Sequence, residues 1–253
     1  MTGTYLLADI PVQITSLYPE VHQMCADYHT DLSAEILVST SLDEIEEEGR
    51  MSDKQRQQEG LPPYQFEAPY LETLTVYRKI ATAMMDRGIM LLHGSVIAVD
   101  GEAYLFTALS GTGKSTHVRL WRNLFGPRAV MVNDDKPLVR IPLETNSDTS
   151  VQCRSIVYGT PWDGKHHLSN NRSVPLKAVI YLERGKENEI HEVSAKWMFP
   201  VLMQQSFRPD GAAGTILGMQ LLGALSKSVK FYDLHCNMDP EAAKVAYQGM
   251  NRI

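Results

Sequence analysis

The chain has 253 residues, of which 43% are hydrophobic and 21% charged, so it can fill a core and is not disordered by composition. Thirty acidic residues against 24 basic ones leave a formal charge of −6, which argues against a nucleic-acid backbone as the main partner. The three cysteines, Cys25, Cys153 and Cys236, are too far apart for a Cys-x-x-Cys site or a disulfide scaffold, and the start of the sequence does not read as a signal peptide.

In chain order, the β-prone runs Tyr5 to Thr15 and Glu35 to Thr40 come first. Ser41 and Glu44 then have capping-box spacing, so a polar helix is expected to start there. The run Glu44 to Gly60 has little apolar periodicity and reads as a solvated helix or loop. Gly60-Leu61-Pro62-Pro63 marks a boundary, which divides the chain into a small α+β subdomain, 1–63, and a larger domain, 64–253. Leu71, Leu74, Tyr77, Ile80, Ala81, Met84 and Met85 recur at helical spacing and predict a helix that closes near Gly88.

Ile89 to Val99 and Glu102 to Ala108 read as strands, joined through Asp100-Gly101 into a hairpin. That hairpin leads into Ala108-Leu109-Ser110-Gly111-Thr112-Gly113-Lys114-Ser115-Thr116, which has Ala-x4-Gly-Lys-Ser spacing and precedes a helix, Ser115 to Phe125. Small residues let successive N–H groups turn toward phosphate oxygens, and the helix start adds positive charge. Ser110, Gly111, Thr112, Gly113, Lys114, Ser115 and Thr116 are therefore the expected nucleotide-binding residues, with Lys114 as the movable cation and the Ser115 hydroxyl on Mg²⁺.

Strands are expected at Ala129 to Val132 and Pro137 to Ile141, with Val132-Asn133-Asp134-Asp135 closing the first of them. Beside a phosphate loop, one acid can hold Mg²⁺ and the other can accept a hydroxyl proton. Mutual repulsion is expected to raise the pKa of the pair. The spacing alone reads His93, in an apolar run, as a core residue. Turn chemistry follows at Thr145-Asn146-Ser147-Asp148. Strands are then expected at Val151 to Tyr158, Val174 to Leu182 and Glu189 to Val193, and helices at Ala195 to Gln205 and Ala212 to Leu225. Asp239-Pro240-Glu241 starts a last helix after an apolar strand from Phe231. No segment has the length and apolarity of a membrane-spanning helix, so a soluble, cytoplasmic protein is expected.

Together, His93-Gly94, the Asp100-Gly101 turn, Ser110 to Ser115 and the Asp134-Asp135 pair resemble the catalytic domain of HPr kinase/phosphorylase. The loop is equally similar to that of ATP-dependent phosphoenolpyruvate carboxykinase, which shares that fold. The resemblance is good over about residues 90 to 140 and loose elsewhere. It implies an α/β P-loop fold with a mixed sheet, and a kinase that moves the γ-phosphoryl group of ATP, with Mg²⁺, to a serine-like hydroxyl on a small molecule, peptide or protein. It also implies that Lys114 contacts the phosphates, that His93 lies near the transferred group, and that the acids serve as metal partner and proton acceptor. We assign Asp134 to the metal and Asp135 to the proton, although the sequence does not order them.

HPr kinases form rings of subunits, so the resemblance extends to a homo-oligomer, but no interface can be mapped on the sequence. Two departures stand out: Thr116 replaces the acid that usually follows the loop serine, and the family's glycine-rich signature has no counterpart. Tyr158 to Lys165 occupies that region as a loop; there Lys165 or Arg154 would clamp an anion and Trp162 would line its pocket, or all three are surface residues. His166-His167 reads as exposed rather than metal-binding. The chain is about half the length of a carboxykinase, which argues against decarboxylation. A nucleotide hydrolase, a reversible kinase/phosphorylase and a non-catalytic nucleotide sensor are the alternative functions.

Overall fold

The computed structural model describes residues 1–58, 60–143 and 154–251 and forms two compact units, Met1–Met84 and Met85–Ile253. It is a mixed α/β structure. The expected turn at Thr145-Asn146-Ser147-Asp148, Cys153 and the start of the strand expected from Val151 lie outside the described residues.

In the first unit, β1 (Thr2–Leu7) and β2 (Ile10–Thr15) form an antiparallel hairpin that turns at Ala8 and Asp9, both at positive φ. After a short helix, α1 (Glu20–Met24), β3 (Ile36–Ser39) adds parallel to β2 and completes a three-stranded sheet. α2 (Leu42–Gln58) begins at the expected capping box: Ser41 N donates to Glu44 Oε2 at 3.0 Å, and Glu44 N donates to Ser41 Oγ at 3.4 Å. α2 is not a purely solvated helix, because Ile45 and Glu48 are buried and Glu48 pairs with Arg78 at 2.6 Å.

All of α3 (Ala68–Met85) but its last residue falls in the first compact unit, whereas the break in the sequence lies at Gly60-Leu61-Pro62-Pro63. A polar clasp ties α3 to the segments that follow β2 and β3. Glu72 on α3 accepts from Leu17 N at 2.7 Å, Tyr18 N at 2.9 Å and the Thr40 hydroxyl, and Lys79 donates to Ser39 O. Buried amides need such partners, and the proline break cuts none of these bonds.

Among the described residues, the second unit is built on a nine-stranded mixed sheet. β4 (Ile89–Leu91) and β5 (Ser95–Val99) are separate strands, and β5 pairs antiparallel with β6 (Glu102–Thr107) through a turn with Asp100 at φ 52° and Gly101 at φ 81°. The loop after β6 leads into α4 (Lys114–Phe125). β7 (Ala129–Asn133) pairs antiparallel with β5, and β8 (Leu138–Arg140) pairs with β4. β9 (Ile156–Tyr158) joins β8 to the long β10 (Ser173–Arg184), which runs parallel to β6. β11 (Glu189–Val193), α5 (Ala195–Gln205), α6 (Ala212–Leu225), β12 (Lys230–Cys236) and α7 (Glu241–Met250) complete the unit, with β12 parallel to β10.

Both faces of the sheet are covered, which is why its strands read as continuous apolar runs. Ile97, Tyr104, Phe106 and Ile180 pack with Val118 and Trp121 of α4 and with the alanines of α7. The alternate residues Val96, Leu105 and Val179 pack with Met198 and Leu202 of α5 and Leu221 of α6. Among the described residues no helix is long and apolar enough to cross a membrane.

Candidate functional site at the carboxyl ends of the parallel strands

The directions of the strands bring the chemistry together. β6 and β10 are parallel, and β7 and β6 are each antiparallel to β5, so all three end at the same edge of the sheet, where β5 begins. The loop leaves β6 there, Asn133-Asp134-Asp135 closes β7, and His93-Gly94 precedes β5. Open α/β sheets place ligands at such an edge.

The loop is shaped by its glycines. Gly111 has φ 75° and Gly113 φ 124°, values that a side chain would strain. Ala108 is fully buried in the same core cluster as Trp121, so its methyl fills space where a first glycine would leave a gap. Thr112 closes the turn by donating from N at 3.3 Å and from Oγ1 at 2.8 Å to Leu109 O. The N–H groups of Gly113, Lys114 and Ser115 have no acceptor among the described residues. Ser110 and Gly111 are exposed at the tip of the loop.

Lys114 Nζ rests on Ala108 O at 3.1 Å. Burial lowers its pKa, while the charges of Asp135 and Asp134 work in the opposite direction, so both acids act on this ammonium. Ser115, Thr116, Asp134, Arg119 and His166 line a cleft of about 370 Å³. Asp134 is buried, and its Oδ1 accepts from Ser95 Oγ at 2.7 Å. A serine hydroxyl and a carboxylate on one cleft are hard oxygen donors of the kind Mg²⁺ takes, and the unclaimed N–H groups are the kind phosphate takes.

Asp135 faces His93, with Oδ1 at 3.3 Å from Nε2, and Lys136, with Oδ2 at 3.5 Å from Nζ. Burial favours the neutral acid, but the His93 hydrogen bond and the Lys136 charge outweigh it and hold the carboxyl below the usual aspartate value. For Asp135 this corrects the expectation of a raised value. His93 Nδ1 lies 2.9 Å from Gln205 Oε1 and His93 N donates to Gln205 O at 2.7 Å, so the histidine is fixed in the break between β4 and β5 and is not part of a strand.

The sequence did not single out several supporting residues. Asn133 is fully buried: its Oδ1 accepts from Asp135 N at 2.8 Å and Lys136 N at 2.7 Å, and its Nδ2 donates to Thr160 O at 3.0 Å. A polar residue closing an apolar run ahead of a turn was the available signal. Ser95, a hydroxyl in an apolar strand, gave a weaker one. Gln205 and Arg184 gave none, because their partners lie far away in sequence.

The Tyr158 to Lys165 segment runs past the acids, and a Cβ on Gly164 would stand 3.3 Å from that of Asp135. Trp162 is buried. Arg154 pairs with Glu102 at 3.1 Å, at the start of β6 and so at the opposite end of that strand from the loop; it does not reach the site. The Lys165 side chain lies outside what is described, and His166 and His167 are exposed, as expected.

No protein-family model matches the chain, and no curated protein does. Among solved structures it is similar to the HPr(Ser) kinase/phosphatase from Coxiella burnetii, at 13% identity and a TM-score of 0.25, over 41% of this chain and 70% of that one.

Proposed function

We propose that the chain is a phosphotransferase that passes the γ-phosphoryl group of ATP to a hydroxyl acceptor, and that its second unit is a P-loop domain of the HPr-kinase/carboxykinase type. One observation carries this reading: the unclaimed N–H groups of the loop, Lys114, Ser115, Asp134 and Asp135 converge on one sheet edge, with both carboxylates acting on the Lys114 charge.

In this reading the N–H groups of Gly113, Lys114 and Ser115 bind phosphate oxygens, and Lys114 leaves the Ala108 carbonyl to follow them. Ser115 and Asp134 would hold Mg²⁺, which when bound supplies positive charge beside the phosphates. Asp135, oriented by His93 and ionised at neutral pH, aligns the acceptor hydroxyl and takes its proton as the new P–O bond forms and the bond from the γ-phosphorus to the β-phosphate oxygen breaks, releasing ADP. A weakly basic carboxylate suits a loose transition state, in which the nucleophile needs alignment more than early deprotonation.

The test is a screen of hydroxyl metabolites and serine peptides with ATP and Mg²⁺, read as ADP release. Release that depends on an acceptor and disappears in Lys114→Ala is expected. Acceptor-independent release would identify a hydrolase, and binding without turnover a sensor; either outcome overturns the proposal.

A further inference from the structure

The Arg184 guanidinium lies against the outer side of the loop. Its Nη2 donates to Gly111 O at 2.7 Å and its Nε to Thr112 O at 3.1 Å. The sheet puts it there: β10 pairs Tyr181 with Thr107, the last residue of β6, and then runs three residues further, about 10 Å, while the other chain bends into the loop. The guanidinium presents two donors in a fixed fork, and here they take two successive carbonyls.

A planar trans peptide points its C=O and N–H in opposite directions. Holding Gly111 O outward therefore turns Thr112 N–H inward, where it closes the turn on Leu109 O. Holding Thr112 O outward likewise turns Gly113 N–H to the other side, and that N–H has no acceptor among the described residues. Without the fork, Gly111 and Gly113 leave the loop free to take up many other shapes.

We propose that Arg184 is a positioning residue that holds the loop in its anion-accepting shape before any ligand arrives. This rests on the phosphate-binding reading of the loop and adds a determinant of its affinity outside the motif. Ordering the loop in advance removes that cost from binding.

The experiment compares the full chain with Arg184→Ala and Arg184→Lys. Calorimetry with Mg·ATP and with inorganic tripolyphosphate is expected to show affinity falling about tenfold or more in R184A for both ligands, with R184K in between because an ammonium lacks the fork. Amide hydrogen exchange of the ligand-free protein should show faster exchange at Thr112, whose N–H closes the turn on Leu109 O, in R184A and unchanged exchange in β6 and β10.

Wild-type affinity in R184A overturns the proposal. So does weaker binding with loop exchange unchanged, because the arginine would then be acting as a direct ligand of the phosphates. If R184A also exchanges faster throughout β6 and β10, its role is general stability, and the proposal fails. A wild-type protein that binds neither probe refutes the phosphate-loop reading itself, a result distinct from all of these.

Discussion

Asn133 shows why the acids stand where they do. Its side chain meets three backbone groups, the N–H of Asp135, the N–H of Lys136 and the C=O of Thr160, and is fully buried. Asn133→Ala removes all three partners from groups that water does not easily reach, and should cost about 2–4 kcal/mol, read as a lower urea midpoint at unchanged slope. Turnover should fall with it, because the Asp135 backbone loses its anchor. Asp135 itself supports a prediction about pH. Its folded pKa lies below the usual aspartate value, so the stability it contributes is present above about pH 3.9 and is lost only as pH falls through the lower folded value. Between about pH 5 and 8 it does not titrate. Asp135→Asn should therefore lower the pH-rate profile without changing its shape in that window. A limb that vanishes in the variant would place the Asp135 pKa near neutrality and contradict the geometry.

α4 continues directly from the loop, and much of it could be read in the sequence: the glycines before it and its limits to within one residue. The role of His117 was hidden. It is buried beside Phe106, its Nε2 accepts from Trp121 Nε1 at 3.0 Å, and burial lowers its pKa to about 4. With Nε2 accepting, Nδ1 keeps its proton and faces Cys236 Sγ at 3.7 Å. In the unfolded chain the ring takes up a proton near pH 6.5, which the folded protein refuses until about pH 4, so stability falls as pH drops through that window, by about 3 kcal/mol. His117→Gln keeps an acceptor for Trp121 but does not titrate; its urea midpoint should lose this dependence. Equal acid sensitivity in both proteins would refute the assignment. Other elements were legible for similar local reasons. The capping box at Ser41 and the Asp100-Gly101 turn depend on neighbours in sequence and form as read, and α5 and α6 match their predicted limits. The division of β4 from β5 was not legible, because it comes from a non-local approach: a Cβ on Gly94 would stand 2.7 Å from Phe106 O.

At the scale of the molecule, the motif residues were visible in the sequence but their convergence was not. His93 meets Gln205 across 112 positions, and Arg184 meets the loop only because β10 lies parallel to β6. Periodicity gives strands but not their order or direction, which are set by packing on both faces. The same limit applies to the division of the chain into units. Gly60-Leu61-Pro62-Pro63 breaks the helical pattern, whereas Glu72 beyond it bonds amides 54 and 55 positions earlier in the chain. That carboxylate is buried and satisfies two amides and a hydroxyl, so Glu72→Ala should cost about 3 kcal/mol. Its partners all lie within Met1–Met84, so the loss should stay there. Amide hydrogen exchange should show faster exchange in β2, β3 and α3, with β6, β10 and α4 protected as in the wild type. Loss of protection in both sets of elements would mean that the two units unfold as one cooperative body, and the boundary at Met84 would then describe contact density rather than stability.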